Sequence, residues 1–151
     1  MQYIMKPFED LTNRELYHIL KLREEVFIIE QCCIYPDIDD KDEAAYHLLA
    51  LEEADLVGYL RILGRGVRFD EIAISRVVVP ERLRGRGIAK KMMLEALDFI
   101  RDVLKETRIR ISAQSAVIPF YQGLGFEVSG GEYLEDDIPH VNMVCDLSRH
   151  A

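Results

Sequence analysis

The chain has 151 residues, 49% of them hydrophobic, and a formal charge of −8. That length suits a single domain over 1–151 with one sizeable core, and the acidity argues against a general nucleic-acid binder, because phosphate neutralisation supplies most of that affinity. No apolar run nears the roughly 20 residues of a membrane span, and three cysteines with an adjacent Cys32–Cys33 pair make neither a disulfide framework nor a zinc spacing. The expectation is a soluble, cytoplasmic protein with no membrane, nucleic acid or metal among its partners.

Thr12-Asn-Arg-Glu15 is a capping box, and Leu16, Ile19, Leu20, Arg23 and Phe27 follow at helical spacing, which predicts a helix over 13–29. Residues 31–45 read as a loop. YHLLALEE (46–53) and LVGYLRIL (56–63) read as strands joined by a hairpin at Glu53, Ala54 and Asp55, and IAISRVVV (72–79) reads as a further strand ending at Pro80. The period then changes: Ile88, Met92, Ala96, Ile100 and Leu104 fall four apart, with Met93, Leu97 and Val103 beside them, predicting a helix over 85–105 with one face on a sheet. A short strand over 109–113, a short helix over 116–124 and strands over 126–133 and 140–147 complete the chain. This order predicts a mixed α/β sheet with a parallel crossover at its centre.

Residues 82–91, RLRGRGIAKK, join a buried strand to an amphipathic helix and hold five cations and two glycines. A helix N-terminus offers unpaired N–H groups, and glycine lets backbone approach a ligand closely, so strand, glycine turn and helix make an anion seat suited to phosphate. Arg82, Arg84, Arg86, Lys90 and Lys91 add charge to it. A Walker A pattern is absent and the spacing is wrong for a dinucleotide fingerprint. An RNA-binding RG tract is usually disordered, whereas this one leads into an ordered helix; a solvated turn is the plain alternative.

Arg84-Gly-Arg-Gly87-Ile-Ala89 resembles the R-x-x-G-x-[GA] loop of the GNAT acetyltransferases, with Val77-Val-Val-Pro80 standing where that family's coenzyme strand stands and Pro119-Phe-Tyr-Gln-Gly-Leu-Gly-Phe126 resembling its FYxxxGF element. A narrower likeness runs along nearly the whole chain. Leu22-Arg-Glu-Glu-Val-Phe27, Glu30-Gln31, Tyr35-x-Asp37-x-Asp39, Ala113-Gln114, Glu135-Asp-Asp-Ile-Pro-His140 and Met143 are similar to the ElaA-type branch. The resemblance implies an α/β fold with a central, mostly antiparallel sheet, one parallel pair splayed between the fourth and fifth strands, and flanking helices. It implies an acetyl-CoA-dependent N-acetyltransferase with acetyl-CoA as cosubstrate, a small or peptidyl amine as acceptor, and often a homodimer. A non-catalytic acyl-CoA-binding or sensing domain of the same fold is the alternative. The pyrophosphate would sit on the N–H groups of Gly85, Arg86, Gly87, Ile88, Ala89 and Lys90, the pantetheine along Val77, Val78 and Val79, and Arg84, Gln114 and Tyr121 would also touch the cofactor.

By the same resemblance Tyr121 would protonate the departing sulfur and the Val78 N–H would face the oxyanion. The base stays open. Some relatives carry a glutamate on the strand entering the site, but here that strand reads Ile74-Ser75-Arg76 and the nearest carboxylate is Glu71. Glu30, Glu132 and His140 are the candidates, directly or through a water. Arg76, a cation among apolar strand residues, is expected to pair with an acid such as Glu30 or Asp37, or to contact the acceptor. Asp37–Glu43 lacks the glycine and closing glutamate of a calcium loop. It reads with Glu132–Asp137 as solvated loop or as an electronegative rim for a cationic amine. His47 and His140 read as structural rather than metal ligands, and His18 as an exposed helix residue.

Overall fold

A computed structural model describes residues 1–150, with side chains through Ser148. The chain opens with β1 (Gln2–Pro7), an edge strand antiparallel to β2 (Tyr46–Glu52). Five of its six residues are half-buried with no alternation, so the sequence pattern does not mark it. The capping box forms: Thr12 Oγ1 accepts from the Glu15 N–H at 3.0 Å and Glu15 Oε1 from the Thr12 N–H at 2.9 Å. It starts α1 (Asn13–Arg23), which buries Ile19, Leu22 and Arg23. The predicted helix over 13–29 changes pitch at Glu24. Residues Glu24–Glu30 are π-helical, and the Gln31 and Cys33 N–H groups reach back five residues to Val26 O at 3.2 Å and Ile28 O at 3.0 Å. The wider turn keeps Val26 in the core while Phe27, Ile28 and Glu30 line a cleft.

β2 and β3 (Asp55–Leu63) form the expected hairpin; Glu53 and Ala54 sit at φ 50° and 71°, the left-handed pair of a two-residue turn, and Asp55 already belongs to the strand. β4 (Ile72–Val78) follows, then α2 (Ile88–Asp102), then β5 (Arg108–Gln114). α2 buries Ile88, Met92, Met93, Ala96, Leu97 and Ile100, the face the four-residue spacing marks. It is shorter than the expected 85–105, because Gly85 and Gly87 at φ 83° and 80° make its first residues a turn, and Val103 lies outside it and exposed. α3 (Ile118–Gln122) is a single short helix. The expected strand over 126–133 divides into β6 (Glu127–Val128) and β7 (Tyr133–Glu135). Gly130 at φ 89° breaks it, and the two pieces pair with different stretches of β8 (Ile138–Asp146).

The sheet runs β1-β2-β3-β4-β5-β8-β6, with β7 also on β8, and every pairing is antiparallel except β4 with β5. Alternation places Leu48 and Leu60 in the cluster under α2, while Leu49 and Tyr59 join Ile19, Leu22 and Val26 of the α1 side. β3 comes close to α2 at Gly58, where a Cβ would stand 2.8 Å from Met92 Sδ.

Candidate active site

β4 and β5 touch only at their start, through Ile72 with Ile109 and Ala73 with Arg110. From Ile74 onward the β5-facing edge of β4 has no strand partner among the described residues, and a cleft of about 600 Å³ opens there. Val77, Val78 and Val79 wall one side and Ile111, Ser112 and Gln114 the other. The opening coincides with a bulge, as the β3–β4 register slips between Tyr59 and Arg61 and Arg76 adopts φ 54°.

A left-handed arginine in a strand is strained, and buried charges brace it. Arg76 Nε lies 2.8 Å from Asp37 Oδ1, an ion pair whose N–H is misaligned for a hydrogen bond, while Nη2 donates to Asp37 O at 2.9 Å. Asp37 is in turn held by Arg23 at 2.7 Å, Asp42 by Arg23 at 2.7 Å and Arg61 at 2.9 Å, and Asp39 by Arg61 at 2.8 Å. Arg23 and Arg61 are fully buried. Of the five carboxylates of Asp37–Glu43, Asp37, Asp39 and Asp42 therefore fold inward onto three arginines, while Asp40 and Glu43 stay exposed. Burial alone would push Asp39 and Asp42 up, but hydrogen bonds and charge from Arg61 and Arg23 hold both below the ordinary carboxylate range. His47 closes the network as a structural group. Nε2 donates to Asp42 O at 2.9 Å, so Nδ1 accepts from Tyr59 Oη at 2.6 Å.

At the mouth, no acceptor among the described residues takes the backbone N–H groups of residues 85–90. Arg84 does not stand free beside them. Nε donates to Val79 O at 2.9 Å, and Nη1 and Nη2 grip Glu30 at 2.6 and 2.9 Å, tying the turn to the π-helical segment. Arg76 therefore pairs with Asp37 rather than Glu30. Arg86 pairs with Glu52 at 2.6 Å, and Ile88 points into the core. Val77, Val78, Val79, Arg84, Ala89, Gln114 and Tyr121 line the cleft, whereas Gly85, Arg86, Gly87, Ile88 and Lys90 are not among its lining residues.

Tyr121 packs edge-on to Phe120 and Phe126, with centroids at 5.1 and 5.9 Å, and its hydroxyl has no hydrogen-bond partner among the described residues. Burial pushes its pKa up to about 12, so it stays protonated across the working range. Of the candidate bases, Glu30 is occupied by Arg84, and Glu132 accepts from Ser115 Oγ at 2.9 Å and is not among the cleft-lining residues. His140 lines the cleft, with Nδ1 2.6 Å from Ile138 O and Nε2 3.5 Å from Glu135 Oε2. Sequence reading singled out neither Arg68 nor Ser112, which share this wall and bond Glu135.

A mixed sheet splayed at its one parallel pair, with free N–H groups at the mouth, is the scaffold of an acyl-CoA N-acyltransferase. A crystal structure of such an enzyme from Pseudomonas aeruginosa has the same fold at TM-score 0.88 and 36% identity, covering 96% of this chain and 99% of that one. The acetyltransferase (GNAT) domain model matches residues 10–147, and the chain belongs to that family, in its ElaA-like branch. Protein ElaA of Escherichia coli is 35% identical over 140 residues, 91% of this chain and 92% of that protein, and its crystal structure superposes with TM-score 0.89. A UPF0039 protein of Schizosaccharomyces pombe is 36% identical over 150 residues, 97% of this chain and 98% of that one. Membership makes the chain an acyl-CoA-dependent acyltransferase, and no helix among the described residues is long and apolar enough to cross a membrane.

Proposed function

We propose that the chain moves the acetyl group of acetyl-CoA to a primary amine by direct attack on the thioester. The observation that carries this reading is that Tyr121, whose hydroxyl has no hydrogen-bond partner among the described residues, lines the same cleft as Val77–Val79 of β4. The pyrophosphate docks on the N–H groups of residues 85–90, where the α2 dipole favours an anion. The pantetheine runs along Val77–Val79 as an added strand.

The acceptor ammonium first gives a proton to a base, for which His140 is the best-placed of the three candidates. The free amine forms a C–N bond to the thioester carbon, and the oxygen takes negative charge facing the Val78 N–H. The C–S bond then breaks; Tyr121 protonates the sulfur and recovers a proton from the amide nitrogen. A thiol with a pKa near 8.5 is a tolerable leaving group, so Tyr121 accelerates expulsion without being indispensable.

The test is a panel of amines with acetyl-CoA, followed by thiol release and by the mass of the acetylated product. Turnover with at least one amine, lowered about a hundredfold in Tyr121→Phe with acetyl-CoA binding retained, is expected. Acetyl-CoA binding without turnover on any amine would replace this reading with that of a binding domain.

A further inference from the structure

We propose that Glu135, anchored by Arg68, positions and charges His140 as the base that receives the acceptor's proton. The inference rests on the amine-acetylation reading above and deepens it.

The tautomer comes first. A carbonyl oxygen only accepts, so the 2.6 Å contact with Ile138 O fixes a proton on His140 Nδ1 in both charge states. The lone pair of the neutral ring therefore lies on Nε2. That nitrogen stands 3.5 Å from Glu135 Oε2, at ion-pair distance and with no hydrogen bond between them. The pair gains an ion-pair bond only when Nε2 takes up a proton.

Glu135 is itself fixed. Arg68 Nη2 binds its Oε1, and Ser112 Oγ lies 3.5 Å from the same oxygen, which leaves Oε2 for the imidazole. Arg68 rests over the Phe69 ring, 5.0 Å from its centroid. Among the described residues, the titratable and charged groups in contact with the imidazole are Glu135 and Tyr133 from β7, the latter stacked at 6.2 Å, with Arg68 from the β3–β4 loop bound to Glu135. Tyr133 hydrogen-bonds Ser112 through its hydroxyl, so it presents its ring face, not its proton, to His140. Arg68, Glu135 and His140 all line the cleft.

The step balances without a further reactant. An N–H bond of the acceptor ammonium breaks, an Nε2–H bond forms, and the electron pair left on the amine makes the new C–N bond. The imidazolium later returns its proton to water. Glu135 touches neither substrate nor reacting atom and is a positioning residue.

Two readouts separate this from a structural role. The acid limb of the kcat/KM profile for the amine reports the base in the free enzyme. Replacing the carboxylate in Glu135→Gln is expected to move that limb about one unit toward lower pH and to lower kcat/KM about tenfold, with the KM for acetyl-CoA unchanged. Glu135→Asp, which keeps the charge, is expected to return part of both. The second readout is an NMR titration of His140 in wild type and Glu135→Gln, which needs no turnover and stands even if no amine is found. A His140 pKa lowered in the variant upholds the coupling. An unmoved limb and an unmoved His140 titration in a folded Glu135→Gln would overturn it. Failure of every amine in the wild type would count against the acetylation reading instead.

Discussion

Arg84 and Glu30 set the scale of single residues. A guanidinium bound at both Nη atoms to Glu30 and through Nε to Val79 O fixes the geometry of the turn before any phosphate contact is made. Glu30→Gln is therefore expected to weaken acetyl-CoA binding by several-fold in a calorimetric titration while leaving the pH dependence of turnover unchanged; a change in that dependence would return Glu30 to the role of base. Tyr121, with its ionisation pushed up to about 12, is expected to add no alkaline loss of kcat below about pH 11. Tyr121 and the glycine turn were legible because each lies in a short contiguous pattern. Glu135 stood in the ElaA-like motif that ends at His140, but its pairing with Arg68 was not legible, since the two are 67 residues apart and only the meeting of the β3–β4 loop with β7 makes them neighbours. Arg23 did leave a signal, a cation inside the apolar stripe of its own helix, which is the mark of a buried ion pair.

At the scale of elements, the turn before α2 and the acidic segment after α1 carry the site. Gly87 at φ 80° has open space around a hypothetical Cβ, so Gly87→Ala meets only backbone strain. A loss of about 1–2 kcal/mol in stability and weaker acetyl-CoA binding are expected from thermal unfolding and titration. Asp42 bridges the buried Arg23 and Arg61, and Asp42→Asn leaves both short of a counter-charge. It is expected to cost about 3 kcal/mol, or roughly 6–12 °C in Tm. The amphipathic face of α2 and the β2–β3 hairpin were readable from period and turn position. The π-helical pitch of Glu24–Glu30 was not, because its apolar residues suit either helix type and tertiary packing decides between them. β6 and β7 could not be told apart without their separate partners on β8, although Gly130-Gly131 marks the break.

For the whole molecule, charge buried in the acidic segment makes stability depend on pH. Asp39 and Asp42 bind protons less readily folded than unfolded, and Glu71, held mainly by its hydrogen bond to Arg110, is lowered to about 2. Unfolded carboxylates titrate near 3.9–4.3, so this stability is complete above about pH 5 and is lost as pH falls through the folded values. Burial also lowers His47, which adds a loss below about pH 6.5 as the unfolded chain takes up its proton first. Tm is expected to decline gently from that pH and steeply below about pH 4, less steeply in Asp39→Asn. The splay between β4 and β5 is the larger consequence of the fold, and coenzyme binding within it is the central claim. Thermal unfolding with acetyl-CoA, coenzyme A, ATP and a short RNA at matched ionic strength tests it most directly. At a hundred times its dissociation constant a ligand stabilises by about 2.7 kcal/mol, roughly 5–10 °C at this size. A rise of that order with acetyl-CoA and coenzyme A, and little with ATP or RNA, is predicted. Equal shifts with every polyanion, or none with acetyl-CoA, would contradict it.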